Sequence, residues 1–204
     1  MNVQGRPTRP ETASAATRGT FTGNRALDVE EALIFETGRF DATGVDIDEP
    51  NLNYSRSIIP RAKFVLSGIY PPLCLEDRKI DLIFSQSVFT HLSETAQDLW
   101  LAELDRILAP GGVAVLSLQL EVTSLARSFD VDAIQTYFAY GIEDYVRDPA
   151  LAGVIADEDY YRSTFHTTEY VKKRWSKVFD IVGIEPGFMG GHQDAVICRK
   201  RRET

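Results

Sequence analysis

The strongest constraint on the fold is a strand–helix–strand pattern in residues 80–118, IDLIFSQSVFTHLSETAQDLWLAELDRILAPGGVAVLSL. The stretch begins and ends with continuous apolar runs, which are typical of strands buried on both faces of a parallel sheet. Between these runs, Ser93–Leu108 has a serine suited to the N-cap, acids in its first turns and apolar residues at helical spacing. APGG then ends the helix. We therefore predict two parallel strands joined by a crossover helix.

The same alternation extends in both directions along the chain. Towards the N-terminus we predict three strands and a helix with proline in its first turn: Ala26–Val29, Asp41–Ile47 and Ala62–Ser67, with the helix at Glu49–Ile58. Towards the C-terminus we predict a helix at Thr167–Val178 and two strands, Phe179–Phe188 and Asp194–Lys200, joined by the glycine-rich MGGHQ. The fold class is therefore α/β, with a doubly wound, mostly parallel sheet that ends in an antiparallel hairpin.

The ends of the chain and one internal segment differ in composition from this pattern. Residues 1–24 are rich in Thr, Arg, Pro, Ala and Gly, which predicts a disordered leader. We assign residues 25–200 to one domain, with a helical, aromatic and acidic insertion at about 121–161. Residues 201–204 are expected to be a tail, and we interpret the basic RKRR at Arg199–Arg202 as part of a solvated terminus.

Charge and composition exclude several classes of partner. The net charge is −8 and the pI about 4.9, which argues against a nucleic-acid backbone as a general partner. No apolar run approaches the roughly 18 residues of a membrane span. Cys74 and Cys198 are far apart and lack metal-ligand spacing, so we expect a cytoplasmic protein without a metal site. The oligomeric state does not follow from these features.

Four motifs together resemble one known family. They are ALDV…GVDID, IDLIFSQSVFTHL, LAELDRILAPGGVAVLSL and FDIVGIEPGF…QDAVICRK, and they span roughly Arg25 to Lys200. In this combination they resemble the class I S-adenosylmethionine-dependent methyltransferases, within these the small-molecule type. The resemblance implies a Rossmann-like methyltransferase fold, S-adenosylmethionine as cofactor, and a small-molecule or glycan-related acceptor.

Ligands of open α/β sheets bind beyond the carboxyl ends of the strands, at the point where the strand order reverses. Asp46 ends the second predicted strand, where the resemblance implies the acid that accepts hydrogen bonds from the ribose hydroxyls. The alternative for Asp46 is a capping role in the following loop, although Asp48 is the more plausible cap. Asp28 corresponds to the acid that precedes the family's glycine turn, and a solvated strand end is its alternative interpretation.

Two further groups complete the predicted cofactor site. Ser85, Gln86 and Ser87 follow the fourth strand and line the same crevice by topology, although a polar turn would read the same way. The third strand ends in VLSGIYPP, which lacks the acid that the family often uses to bind the adenine amino group. Ile69 in this segment is expected to pack against an adenine face instead.

The first motif departs from the family pattern, which is approximately LDVGCGxG. Here Val29 is followed by Glu30 and Glu31, and no glycine occurs before Gly38. With the first strand at Ala26–Val29, fourteen residues remain before GVD, whereas a glycine loop and a three-turn helix need about sixteen. The motif is therefore predicted to be shortened, and the two carboxylates would oppose the cofactor's own carboxylate.

This departure leaves two functions open. The first is an active methyltransferase, and the second is a catalytically impaired methyltransferase-fold protein that serves as a binding or partner module. A nicotinamide-dependent oxidoreductase is disfavoured by the terminal hairpin and by the context of PGG.

Methyl transfer requires a positioned nucleophile and, for many acceptors, a base that removes its proton. The candidates are His166, in the segment that should fold over the pocket, His91, after the fourth strand, and His192 in the hairpin. Each of them could equally be a packed or surface histidine, so the catalytic residue is not assigned at this stage.

Overall fold

The computed structural model describes residues 17–23, 40–121, 131–147, 157 and 160–202. The strands in these ranges are β1 Thr17–Gly23, β2 Phe40–Asp46, β3 Lys63–Leu66, β4 Ile80–Gln86, β5 Leu108–Leu118, β6 Ile142–Arg147, β7 Arg162–His166, β8 Asp180–Met189 and β9 Gln193–Arg199. The helices are α1 Glu49–Ile58, α2 Glu94–Ile107, α3 Val131–Tyr140 and α4 Thr168–Trp175, with a 3₁₀ turn at Phe89–His91.

One mixed sheet dominates the described structure. Its strand order is β3-β2-β1-β4-β5-β9-β8, and a separate two-stranded sheet pairs β6 with β7. Parallel pairing joins β3 to β2, β2 to β1, β1 to β4 and β4 to β5, whereas β9 pairs antiparallel with both β5 and β8. Helix α1 connects β2 to β3 and α2 connects β4 to β5, so the crossovers proceed in opposite directions from β1; the right-handed rule for such connections then favours opposite faces of the sheet for the two helices. The predicted fold class, a doubly wound sheet with a terminal antiparallel hairpin, is confirmed.

The position of the first strand differs from the prediction. The first strand is Thr17–Gly23, an interior strand that pairs in parallel with both β2 and β4, whereas residues 26–29 lie outside the described ranges. Residues 17–23 lie in the stretch whose Thr, Arg, Pro, Ala and Gly content predicts a leader, and TRGTFTG lacks the apolar run typical of a strand buried on both faces. Thr and Phe nevertheless favour extended backbone, and pairing on both sides supplies what the local sequence does not indicate.

The helix and turn around PGG form largely where the sequence predicts them. Ser93 caps α2, since its Oγ accepts the Ala96 N–H at 3.4 Å. Strand β5 starts at Leu108, immediately after the helix, and so includes APGG as well as the apolar run that follows it. A Cβ at Gly112 would lie 2.9 Å from the Ala109 carbonyl oxygen, and Gly111 has φ +81°, so both glycines suit this tight passage from helix to strand.

The core lies between the sheet, α2 and α4. Its fully buried members include Ile83, Leu101, Ile107, Leu116, Trp175 and Phe179. Trp100 and Trp175 are both packing residues on helices, as their positions in the sequence indicate. In the described part of the insertion, α3 supplies the expected helix, and β6 with β7 adds a strand pair that was not predicted. No helix among the described residues is long and apolar enough to cross a membrane.

Candidate functional site

The reversal of strand order occurs between β1 and β4. From β1 the chain proceeds to β2 and β3 on one side, and then crosses to β4 and β5 on the other. Gly23, the last residue of β1, pairs with Gln86, the last residue of β4. The carboxyl ends of these parallel strands therefore border one crevice, next to which β2 ends at Asp46.

Asp46 lies half-buried at this edge, and its carboxylate organises the turn into α1. Its Oδ1 accepts the Asp48 N–H at 2.9 Å, and its backbone carbonyl accepts the Ser67 N–H at 2.9 Å. Burial raises the pKa of the Asp46 carboxyl to about 6, although hydrogen bonds from the Asp48 and Ile47 backbones act in the opposite direction. Asp48 is the N-cap of α1 by position and makes no side-chain capping bond.

The end of β4 presents three polar residues, each in a different setting. Ser85 is fully buried, and its Oγ has no hydrogen-bond partner among the described residues. Gln86 forms the backbone pair with Gly23. Ser87 has φ +56°; its N–H donates to Ser117 Oγ at 2.7 Å, and its Oγ accepts from Gln193 Nε2 at 2.8 Å. Sequence reasoning placed these three residues together but gave no sign of Ser117 or Gln193.

Ile69 lies after β3 in a segment fixed by aromatic residues. Its side chain packs against the main core, and its carbonyl accepts from Trp100 Nε1 at 3.3 Å. The same indole N–H lies 3.0 Å from the Tyr160 hydroxyl, and Tyr70 packs edge-on to Tyr160 with ring centroids 5.2 Å apart. Residues of the insertion therefore contact the loop after β3, near the predicted adenine position.

His91 is held in one orientation by two contacts. Its Nδ1 lies 2.9 Å from the Arg162 carbonyl oxygen, and its ring stacks on Tyr161 with centroids 4.3 Å apart. A carbonyl oxygen can only accept a hydrogen bond, so the proton of neutral His91 lies on Nδ1 and the lone pair on Nε2. His91 therefore lies beyond the carboxyl end of β4, with Nδ1 as the donor to the Arg162 carbonyl.

His166 is placed differently, in the interior of the protein. It has no exposed surface, and burial lowers its pKa to about 3. Its Nε2 lies 3.0 Å from Gln97 Oε1, and the Gln97 amide nitrogen donates to the Phe89 and Leu92 carbonyls, which fixes the direction of these bonds. Neutral His166 therefore donates a hydrogen bond within the core. Because it has no exposed surface, the substrate that would accept a methyl group cannot reach it in this conformation.

Three of the residues singled out in the sequence are not described by the structure. Asp28, Glu30 and Glu31 lie outside the described residues. With β1 at Thr17–Gly23, residues 24–39 connect it to β2, and these sixteen positions match the length that a glycine loop and a three-turn helix need. Gly23 borders the crevice at the end of β1 and is not among the predicted residues, because its place depends on a strand that was not predicted. No group of His, Cys, Asp and Glu side chains in the described ranges could hold a metal ion.

Comparison with known proteins points to one family. Residues 24–116 match a family model described as a methyltransferase domain. An S-adenosylmethionine-dependent methyltransferase of Methanosarcina mazei superposes with a TM-score of 0.67 at 16% identity, over 93% of this chain and 95% of that chain. The 1,6-didemethyltoxoflavin-N1-methyltransferase of Burkholderia thailandensis, solved with its substrate and S-adenosylhomocysteine, has a TM-score of 0.59 at 15% identity, over 89% and 71% of the two chains.

Two further similarities differ in extent. The glycopeptide N-methyltransferase MtfA, solved with S-adenosylmethionine, has a TM-score of 0.59 at 13% identity, over 94% of this chain and 90% of that chain. A local match of 49 residues is 55% identical to the probable glycine dehydrogenase (decarboxylating) subunit 2 of Caulobacter vibrioides. It covers 23% of this chain and 9% of that protein, so the chain spans less than a tenth of the length of this curated relative.

Proposed function

We propose that this chain belongs to the class I S-adenosylmethionine-dependent methyltransferase family and transfers a methyl group to a small-molecule or glycan-related acceptor. The observation that carries the proposal is the Asp46 carboxylate, which ends β2 beside the crevice between β1 and β4. A carboxylate at this edge is suited to accept hydrogen bonds from both hydroxyls of a ribose.

The chemistry of the crevice fits S-adenosylmethionine. Gly23 carries no Cβ where a ligand must approach the end of β1, and Asp46 supplies the acceptor for the ribose. The Ser85 hydroxyl is a buried polar group without a partner among the described residues, and Ile69 offers an apolar surface for the adenine. We keep Asp28, Gln86 and Ser87 as further contacts. When bound, the cofactor supplies an electrophilic methyl group on its sulfonium sulfur.

On the acceptor side we propose His91, rather than His166, as the base. The Arg162 carbonyl holds the proton on Nδ1, and stacking on Tyr161 fixes the ring plane, so Nε2 is the atom that accepts the proton of the nucleophile. Once an acceptor that the protein methylates has been identified, His91→Gln should lower kcat by about 100-fold and leave the affinity for S-adenosylhomocysteine unchanged. An unchanged kcat would remove His91 from this role.

The acceptor class is supported by the named neighbours and not by a contact in this chain. The didemethyltoxoflavin enzyme binds a small heterocycle, and MtfA is named a glycopeptide N-methyltransferase. A net charge of −8 disfavours nucleic acid as the acceptor. We also propose that the protein is cytoplasmic, because its two cysteines fit a reducing compartment.

The alternative is a methyltransferase-fold protein without turnover that acts as a binding or partner module. It is favoured by the segment after β1, which has no glycine between Gly23 and Gly38 and carries the two acids Glu30 and Glu31. If these carboxylates face the crevice, they repel the carboxylate of the cofactor and lower its affinity.

Calorimetric titration with S-adenosylhomocysteine separates the two functions. We expect a Kd below about 100 μM, which corresponds to about −5.5 kcal/mol. Asp46→Ala should abolish this binding, because the ribose hydroxyls lose their acceptor. Asp48→Ala is the matched control: it removes the neighbouring acid, which makes no side-chain capping bond, and should bind as the wild type does.

Each outcome of this titration has a defined meaning. No heat at millimolar ligand from a folded wild-type protein would favour the binding module over the enzyme. Binding that survives in Asp46→Ala would show that the crevice beside β2 is not the ribose site.

A further inference from the structure

Ser87 adopts an unusual backbone conformation at the edge of the crevice. It follows β4 directly, and its φ of +56° lies in the left-handed region that favours glycine. For a residue with a Cβ this conformation is unfavourable, because the Cβ lies too close to the following carbonyl oxygen. Such strain persists only where the surroundings hold it, and it is concentrated at ligand-binding positions.

Two residues from different strands hold Ser87 in place. Ser117 on β5 is fully buried, and its Oγ accepts the Ser87 N–H at 2.7 Å. Gln193, the first residue of β9, donates from Nε2 to Ser87 Oγ at 2.8 Å. Because β9 lies next to β5, which lies next to β4, these bonds join three adjacent strands at the carboxyl edge of the parallel ones.

Gln193 is itself fixed at the turn end of the terminal hairpin, where it pairs with the last residue of β8. The next residue, Asp194, is buried, and its carboxylate accepts the Gly187 N–H at 2.8 Å and the Leu120 N–H at 2.9 Å. The second amide atom of Gln193, Oε1, is buried and has no hydrogen-bond partner among the described residues. A buried polar atom of this kind costs free energy unless a ligand or water satisfies it.

We propose that Gln193 is a positioning residue for cofactor binding, which holds the strained Ser87 in the conformation that shapes the crevice at the end of β4. This inference rests on the proposed function, because it assumes that the crevice takes S-adenosylmethionine. Gln193 acts through Ser87, so the terminal hairpin contributes to cofactor affinity although it lies two strands away from β4.

The test is a double-mutant cycle read out by calorimetry with S-adenosylhomocysteine. Gln193→Met keeps an unbranched chain of similar length but cannot hydrogen-bond to Ser87, and we expect roughly a tenfold loss of affinity. Ser87→Gly adopts the left-handed conformation without strain, so in that background Gln193→Met should cost less than threefold. A residue with only a structural role would lower affinity equally in both backgrounds.

Controls keep the result interpretable. His192→Ala alters the exposed neighbour in the same hairpin and should leave the affinity unchanged. Gln193→Asn, which is one methylene too short to reach Ser87, should repeat the loss seen with Gln193→Met and replaces that variant if it does not fold. Equal affinity of the wild type and the Gln193 variants, or equal losses in both backgrounds, would overturn the inference. Absence of binding by the wild type would instead refute the proposed function.

Discussion

His166 illustrates how burial decides the role of a single residue. Its position in the segment expected to fold over the pocket makes it a candidate base, but this position does not predict how far the side chain is buried. In the structure it has no exposed surface, packs near Trp175 and donates to Gln97, so it serves the core. Asp46, in contrast, ends β2 as the strand pattern predicts, while its role as the ribose acceptor stays a prediction.

The pKa of His166 predicts acid destabilisation. Burial lowers this pKa to about 3, whereas a histidine in the unfolded chain titrates near 6.5. Between these values the unfolded chain binds the proton and the folded chain does not, so stability is complete above pH 6.5 and is lost as the pH falls. From pH 7 to pH 5 this group should remove about 2 kcal/mol from the free energy of unfolding.

Urea unfolding at pH 7 and pH 5 measures this loss. His166→Gln keeps a donor for Gln97 but cannot be protonated in this range, so its two unfolding free energies should differ by about 2 kcal/mol less than those of the wild type. His192→Ala removes an exposed histidine and should retain the wild-type difference. An identical pH dependence in His166→Gln and the wild type would show that His166 is not buried as described.

For a single helix or strand, the local sequence predicts the structure where the start signal, the apolar spacing and the stop signal are all present. Capping serine, apolar spacing and PGG predicted a helix at Ser93–Leu108, and α2 spans Glu94–Ile107. What these signals could not reveal is how α2 is joined to the loop after β3. The Arg106 guanidinium donates to both oxygens of Glu103, at 2.8 and 2.7 Å, to the Leu73 and Leu75 carbonyls, and to Asp77. Glu103 Oε1 also accepts the Leu73 N–H at 2.6 Å.

Arg106→Ala should therefore destabilise the protein strongly. The Glu103 side chain is only 5% exposed, and without Arg106 its charge would remain buried with no counter-ion. We expect a loss of about 3 kcal/mol in urea unfolding. Arg174→Ala is the matched control, since Arg174 pairs with Asp98 at the surface and should cost less than about 1 kcal/mol. Similar losses in both variants would mean that the buried Arg106–Glu103 pair contributes no more to the free energy of unfolding than the surface pair of Arg174 and Asp98.

For the sheet as a whole, the sequence predicts the alternation of strands and helices and the terminal hairpin, but it does not identify Thr17–Gly23 as the first strand. The buried strands β4 and β5 were evident from their apolar runs. Strand β1 has no such run, and its place depends on hydrogen bonds to β2 and β4, which are distant in the chain. The same reason explains the missed site residues: Gly23 depends on β1, and Gln193 reaches Ser87 only after the chain has returned to the sheet through β9.

The position of β1 gives the most decisive test of the fold. Thr20 lies in the middle of this strand and pairs with Thr43 on one side and Ile83 on the other. Proline there removes a backbone donor and is not accommodated in a central strand, so Thr20→Pro should cost at least about 3 kcal/mol and abolish binding of S-adenosylhomocysteine. Thr20→Val, which is also β-branched, should unfold at nearly the wild-type urea concentration. If residues 17–23 were instead a leader outside the sheet, both variants would be as stable as the wild type, and the central strand would have to come from elsewhere in the chain.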